Sequence, residues 1–169
     1  MVLRPDHIIG AVAVGVGATL LMDVWNHLLK RVYGIASLNY CLLGRWISHM
    51  PDGTFRHSSI AAAARKPGEC AVGWTAHYSI GIAFALALVV ATSGTSLARP
   101  SLPVAFLYGI ATVVFPFFVM QPSIGLGIAA SRAPNPMQAR MKSLATHVVF
   151  GIGLYLCAVG VGYVMHLRA

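Results

Sequence analysis

Residues 8–29 read IIGAVAVGVGATLLMDVWNHLL. The stretch is apolar or small as far as Met22 and turns polar at Asp23, Asn26 and His27. Lys30 and Arg31 follow it. Its apolar residues form a run, without the alternation of a half-buried strand or the stripe of an amphipathic helix. Its length matches the ~20 residues a helix needs to cross ~30 Å of hydrocarbon. It could imitate a signal peptide, but no small-x-small cleavage pattern follows and its cationic flank lies on the C-terminal side. It reads as a retained first span with its N-terminus outside.

Three further runs of the same kind follow, from about Ala71 to Ala91, Pro103 to Phe118 and Ser143 to Met165. The third is the shortest, and Pro116 should kink or end it. The whole chain has 169 residues, 57% hydrophobic and 9% charged, with a mean hydropathy of +0.74. A soluble domain carries about a quarter charged residues, so this chain could not solvate its own surface. The expected class is an all-α membrane protein: a four-helix transmembrane bundle, residues 1–169 forming one integral membrane domain. The runs lack the alternation of a membrane barrel.

Twelve Lys and Arg against four acids give a net charge of +8. These cations lie between the apolar runs, which fits the positive-inside rule better than nucleic-acid binding. Lys30, Arg31, Arg45, Arg56, Arg65, Lys66, Arg132, Arg140 and Lys142 fall on one side, and Arg4, Arg99 and Arg168 on the other. Nine against three places both long connections in the cytoplasm and both termini outside, in an inner membrane. Cys41, Cys70 and Cys157 form no C-x-x-C pair. Their odd number and wide spacing read as small apolar packing residues, without a disulfide framework or a structural zinc site.

The first connection, about Lys30 to Cys70, should hold short interfacial helices. Ser37 can cap one running through Met50 and stopping at the turn Pro51-Asp52-Gly53. Its Leu38, Leu42, Trp46 and Met50 recur every four residues, the pattern of a helix lying in the interface. Trp46 would anchor it, and Arg45 would reach headgroups. Ser58 or Ser59 can cap a second short helix through Arg65, closed near Gly68. The stretch Pro116 to Ser131 is apolar but broken by Gly and Pro. It can extend the third span, break it or fold back.

Polar groups inside spans are costly, and each asks for a partner. Thr19, Asp23, Asn26 or His27, and Lys30 share a face of the first span by spacing. Gly73, His77 and Gly81, with Tyr78 adjacent, mark the second; His147, Gly151 and Tyr155 mark the fourth. At 1.5 Å per residue, Asp23, His77 and His147 lie roughly 6–10 Å from the cytoplasmic ends of their spans. His49, His57, Arg45 and Glu69 lie in the connection that could cover them. Three readings compete: hydrogen-bonded ties between helices, a site for a small polar solute, proton or lipid headgroup, and a metal or haem site. Asp23, His77 and His147, with His49 and His57, are the metal candidates, and two histidines could be axial haem ligands. Arg45, Arg132 and Trp46 are the expected headgroup or anion contacts. Phosphate-loop, serine-hydrolase and paired-carboxylate motifs are absent from the sequence.

The segments GATLLMD (17–23), SLNY (37–40), GRW (44–46), HMP (49–51), FRH (55–57), GW (73–74), HY (77–78), PF (116–117), MQP (120–122), AASR (129–132) and FGIGLYL (150–156), with Gly127 and His147, come in a specific order. In that order the chain resembles the bacterial membrane proteins grouped as domain-of-unknown-function family 2938, over nearly its whole length. The resemblance implies a small multispan inner-membrane protein and carries over no activity, cofactor or functional residue.

The leading expectation is a polar layer facing the cytoplasm that binds or moves a solute, proton or headgroup. Asp23 would be its ionised member, with His77, His147, Asn26, Tyr78 and Tyr155 around it. The alternatives are a membrane enzyme or redox subunit using a metal or haem at the same layer, and an accessory subunit of a larger complex. The lipid bilayer is the expected partner, with a homo-oligomer or larger membrane complex as further candidates. The sequence names no substrate and no reaction.

Overall fold

Each apolar run becomes a helix because lipid leaves the backbone only itself to bond to. The computed structural model describes residues 5–35 and 38–166, without the side chains of 165 and 166. The expected cap Ser37, and Arg4 and Arg168 from the charge count, lie outside the described residues. Among those described there is no strand. The long helices are α1 (Pro5–Tyr33), α3 (Glu69–Ala91) and α7 (Pro136–His166). Between them lie α2 (Tyr40–His49), α4 (Thr95–Ala98), α5 (Leu102–Ala111) and α6 (Gln121–Ser123). Four stretches are long and apolar enough to cross a membrane: Pro5–Tyr33, Glu69–Ala91, Leu102–Ser123 and Pro136–Val164.

The helices outrun the apolar stretches where caps extend them. The last helix starts at Pro136 rather than Ser143 because proline suits a first helical position and the Asn135 side chain accepts from the Gln138 amide. The third span runs on past Phe118 to Ser123. Pro116 brings no amide hydrogen, and the ladder resets as a π-helical segment, Pro116–Met120, in which the Gln121 amide reaches back to the Pro116 carbonyl. The chain then folds back: the Ser123 and Ile124 carbonyls accept from the amides of His57 and Ile60.

The residues group into two compact units. Unit 1 comprises 1–36, 78–112 and 146–169. Its core joins Ala11, Val14 and Ala18 of α1 to Ala85, Leu88 and Val89 of α3, Ala105 of α5, and Phe150, Leu154 and Ala158 of α7. Small residues set the crossings. A Cβ on Gly15 would lie 2.6 Å from Ile82 Cα, and one on Gly153 2.9 Å from Ala18 Cα. This is how helices associate in lipid, where burying apolar surface gives no preference for a protein neighbour and close backbone packing must supply the attraction.

Unit 2 comprises 37–77 and 113–145. In it α2 lies against the start of α3, at a crossing where Gly44 faces the Glu69 carbonyl and Gly73 faces the Tyr40 carbonyl with no room for a Cβ on either. Asn39 supplies the α2 cap, its side chain accepting from the Cys41 amide. The helix ends in a short 3-10 turn at Met50–Asp52, closed by Gly53 at φ +76°. The second helix expected after Ser58 does not form. Residues 59–63 make two turns, and the Ile60, Ala61 and Ala63 carbonyls accept from Arg45, Ile60 also from the Ala63 amide. The cysteine reading also needs correction. Cys41 and Cys70 form a disulfide, with Cα atoms 3.9 Å apart. Their separation of 29 residues hides this in the sequence, because α2 must first fold back onto α3.

Candidate functional site

Unit 1 carries a polar layer built from single hydrogen bonds, each joining a different pair of helices. On α1, Asp23 accepts from the Tyr78 hydroxyl of α3 at 3.1 Å. One turn on, buried Asn26 accepts from Thr146 Oγ1 of α7 at 3.2 Å. Thr112, just past α5, meets His147 Nδ1 of α7 at 2.8 Å and also donates to the Gly109 carbonyl at 2.6 Å. The same helix pairs also meet at small-residue crossings, Gly15 beside Ile82 for α1 and α3 and Gly153 beside Ala18 for α1 and α7, each about two turns from its bond, and Gly109 beside Gly151 for α5 and α7, one turn from it. The close backbones let short side chains reach across, and the bonds fix the rotation of each helix. Thr19 is fully buried and bonds the Gly15 carbonyl of its own helix at 2.7 Å, so it takes a place in the packing. His27 and Lys30 are exposed.

Other candidates fall elsewhere. His77 belongs to unit 2, where it is buried and stacks on Tyr40 with ring centroids 4.0 Å apart. Tyr155 is partly buried against the unit 1 core and lines an apolar cavity of about 70 Å³ with Leu88, Val89, Leu97 and Arg99. Among the described residues, no three His, Cys, Asp or Glu side chains gather where one metal ion could sit.

Unit 2 carries charged contacts. Arg45, expected at headgroups, is 6% exposed. Its Nε and Nη2 donate to Glu69 Oε2 and Oε1, each at 2.8 Å, and its Nη1 to three loop carbonyls. A guanidinium suits this place because its planar fork serves a carboxylate and several carbonyls at once. The hydrogen bond to Glu69 raises the Arg45 pKa further. Trp46 is partly buried and donates to the Phe55 carbonyl at 2.9 Å, while Arg132 is exposed. His49 Nε2 meets the Ala64 carbonyl at 2.9 Å, and its ring lies 5.0 Å from that of His57. Both ring nitrogens of His57 are buried without a hydrogen-bond partner. Burial lowers its pKa, and the nearby His49 lowers it further. Lys66 bonds Asp52 and holds that carboxyl below its usual range.

Sequence patterns alone missed Thr112, Thr146, Gln121 and the Tyr40 stack. The threonines carry no signal of their own within an apolar run. Gln121 is 5% exposed and donates to Ser143 at 3.3 Å, but its place depends on the reset at Pro116. The glycines at 109 and 151 were the usable signal, since each marks a crossing where a short polar side chain can reach a neighbour.

The sequence model of a family described as protein of unknown function, DUF2938, matches residues 12–161. The chain belongs to the DUF2938 family. That match takes in the polar layer of unit 1 and the charged contacts of unit 2. No curated protein and no solved structure matches the chain.

Proposed function

We propose that this DUF2938 protein is a single-domain, multispan protein of a bacterial inner membrane, with both termini outside and both long connections cytoplasmic, and that Asp23 takes up a proton within the membrane. One observation carries the proposal: an acid in the apolar run of α1 accepts from the Tyr78 hydroxyl of a second helix. An ionisable group among lipid-facing residues is costly, and such groups commonly mark proton or solute paths. Asp23 can exchange a proton while Tyr78 holds its carboxylate in place. Asn26, Thr146, Thr112 and His147 supply further donors and acceptors along the same helices, and Arg132 remains available to anionic headgroups.

The test is proton entry into vesicles. The purified chain is reconstituted around an entrapped pH-sensitive dye, and an inside-negative potential is imposed. Wild type should acidify the lumen faster than Asp23→Asn, with Tyr78→Phe in between. Equal rates for wild type and Asp23→Asn, both folded, would leave the layer as a set of interhelical ties and sink the proposal.

A further inference from the structure

We infer that Cys41 and Cys70 are a thiol–disulfide exchange couple, acting on the dithiol or disulfide groups of a second molecule. Both residues lie in unit 2, bonded to each other as the second residues of α2 and α3. Cys70 is exposed and Cys41 partly buried, so an incoming sulfur reaches Cys70 first. Free core cysteines are inert, whereas reactive ones are partly exposed in electropositive surroundings. Cys70 has such surroundings. It stands in the first turn of a 23-residue helix, whose positive end favours a thiolate. The adjacent Glu69 would oppose that charge, but Arg45 engages both of its carboxylate oxygens.

The geometry also supports a reversible couple. The approach of α2 to α3 is set by Gly44 and Gly73 and by the Arg45–Glu69 pair, none of which needs the disulfide. On reduction the two thiols should therefore stay opposed, ready to close again. In the reducing direction, a partner thiolate attacks Cys70 Sγ, the S–S bond breaks, and Cys41 leaves as a thiolate that takes a proton. The partner's second thiolate then attacks the partner sulfur of the mixed disulfide, displacing Cys70 as a thiolate that takes the second proton. The chain gains two electrons and two protons, and the partner dithiol becomes a disulfide. In the reverse direction Cys70 is the nucleophile on a partner disulfide and Cys41 resolves the intermediate. Disulfides in the cytoplasm are mostly transient, catalytic or sensing. A cytoplasmic partner rests on the orientation proposed above; the exchange chemistry does not.

The test uses the full chain in lipid nanodiscs on a Cys157→Ser background, with dithiothreitol as the dithiol and oxidised glutathione as the disulfide. Without denaturant, dithiothreitol should expose two thiols, counted by a maleimide mass shift. The reduced protein should keep its thermal transition, and oxidised glutathione should close the bond again. At neutral pH, Cys70 in Cys41→Ser should form the mixed disulfide roughly ten-fold faster than Cys41 in Cys70→Ser. A bond that opens only when the protein unfolds overturns the inference, and so does a Cys41 that reacts as fast as Cys70. An impermeant maleimide applied to intact cells and to opened membranes reads the orientation separately, so failure of one proposal is distinguishable from failure of the other.

Discussion

Replacing Gly109 by alanine tests whether small-residue crossings hold the polar layer together. A Cβ there would lie 2.6 Å from the Gly151 amide nitrogen and 2.7 Å from the His147 carbonyl oxygen, both backbone atoms of α7. No flexible side chain can yield, and Gly151 Cα lies closer still, so the helices must part by about 1 Å to restore ordinary contact near 3.4 Å. The same shift would stretch the Thr112–His147 contact from 2.8 Å to about 3.8 Å, no longer a hydrogen bond. Overpacking costs about 1–3 kcal/mol and a lost interhelical bond about 0.6–1.7, while alanine returns about 1 in helix propensity. The expected net loss is therefore about 1–4 kcal/mol. Gly160, also on α7, has nothing within 4 Å of its Cβ position and is the control. Gly160→Ala should be neutral or stabilising by up to about 1 kcal/mol. Unfolding of both variants in bicelles, by denaturant titration, measures the difference. If Gly109→Ala is as stable as Gly160→Ala, close approach does not organise these helices and the account of the layer fails.

Three further perturbations address unit 2. Arg45→Met should take the guanidinium away from Glu69 and three carbonyls and lower the thermal transition, and adding Glu69→Leu should recover much of the loss; an unchanged transition in the single variant would remove Arg45 from its structural role. His57 is held neutral by burial, so its folded pKa lies below the unfolded value of about 6.5, and acidification favours the unfolded chain. Stability should be full above that value and fall as the pH drops below it, a slope that His57→Phe should flatten in a melting series. Ala129 adopts φ +47° next to Ala130 at +56°, so Ala129→Gly should relieve about 1–2 kcal/mol of left-handed strain, less about 0.4–1 of added unfolded-chain entropy; a destabilised variant would show that the Ala129 methyl contributes packing.

The spans were legible because lipid imposes one rule on every run: bury the apolar side chains and satisfy the backbone within the helix. The stop at Gly53 was equally readable, since its left-handed φ is the kind of conformation glycine serves. Whatever depended on which helix meets which was harder to read. Arg45 looked like a snorkelling residue because spacing placed it near Trp46, and only the return of residues 59–63 supplies the carbonyls that claim it. Cys41 and Cys70 looked like packing residues for the same reason. The start of α7 lies outside the apolar run, because the Asn135 cap comes before it. Polar pairs such as Thr112 with His147 follow from crossings that glycine marks without naming the partner helix.

Asp23 can be compared with the carboxylates of unit 2 and with its neutral neighbour Asn26. In unit 2, Glu69 and Asp52 each meet a cation, as a structural carboxylate should. In unit 1, Asn26 with Thr146 shows that a tie between α1 and α7 can be made from uncharged groups. A similar neutral tie would join α1 to α3 if residue 23 were asparagine, with the Tyr78 hydroxyl donating as it does now. Interhelical hydrogen bonds in lipid contribute about 0.6–1.7 kcal/mol, whereas an aspartate at the centre of a span costs about 2.5–3.5 by insertion scales. Asp23 lies nearer the end of its span, where that cost is smaller, so the carboxyl and the tie it makes come closer in size. Asp23→Asn preserves the shape and the acceptor while removing the charge, and so tests the proposed proton site apart from the packing.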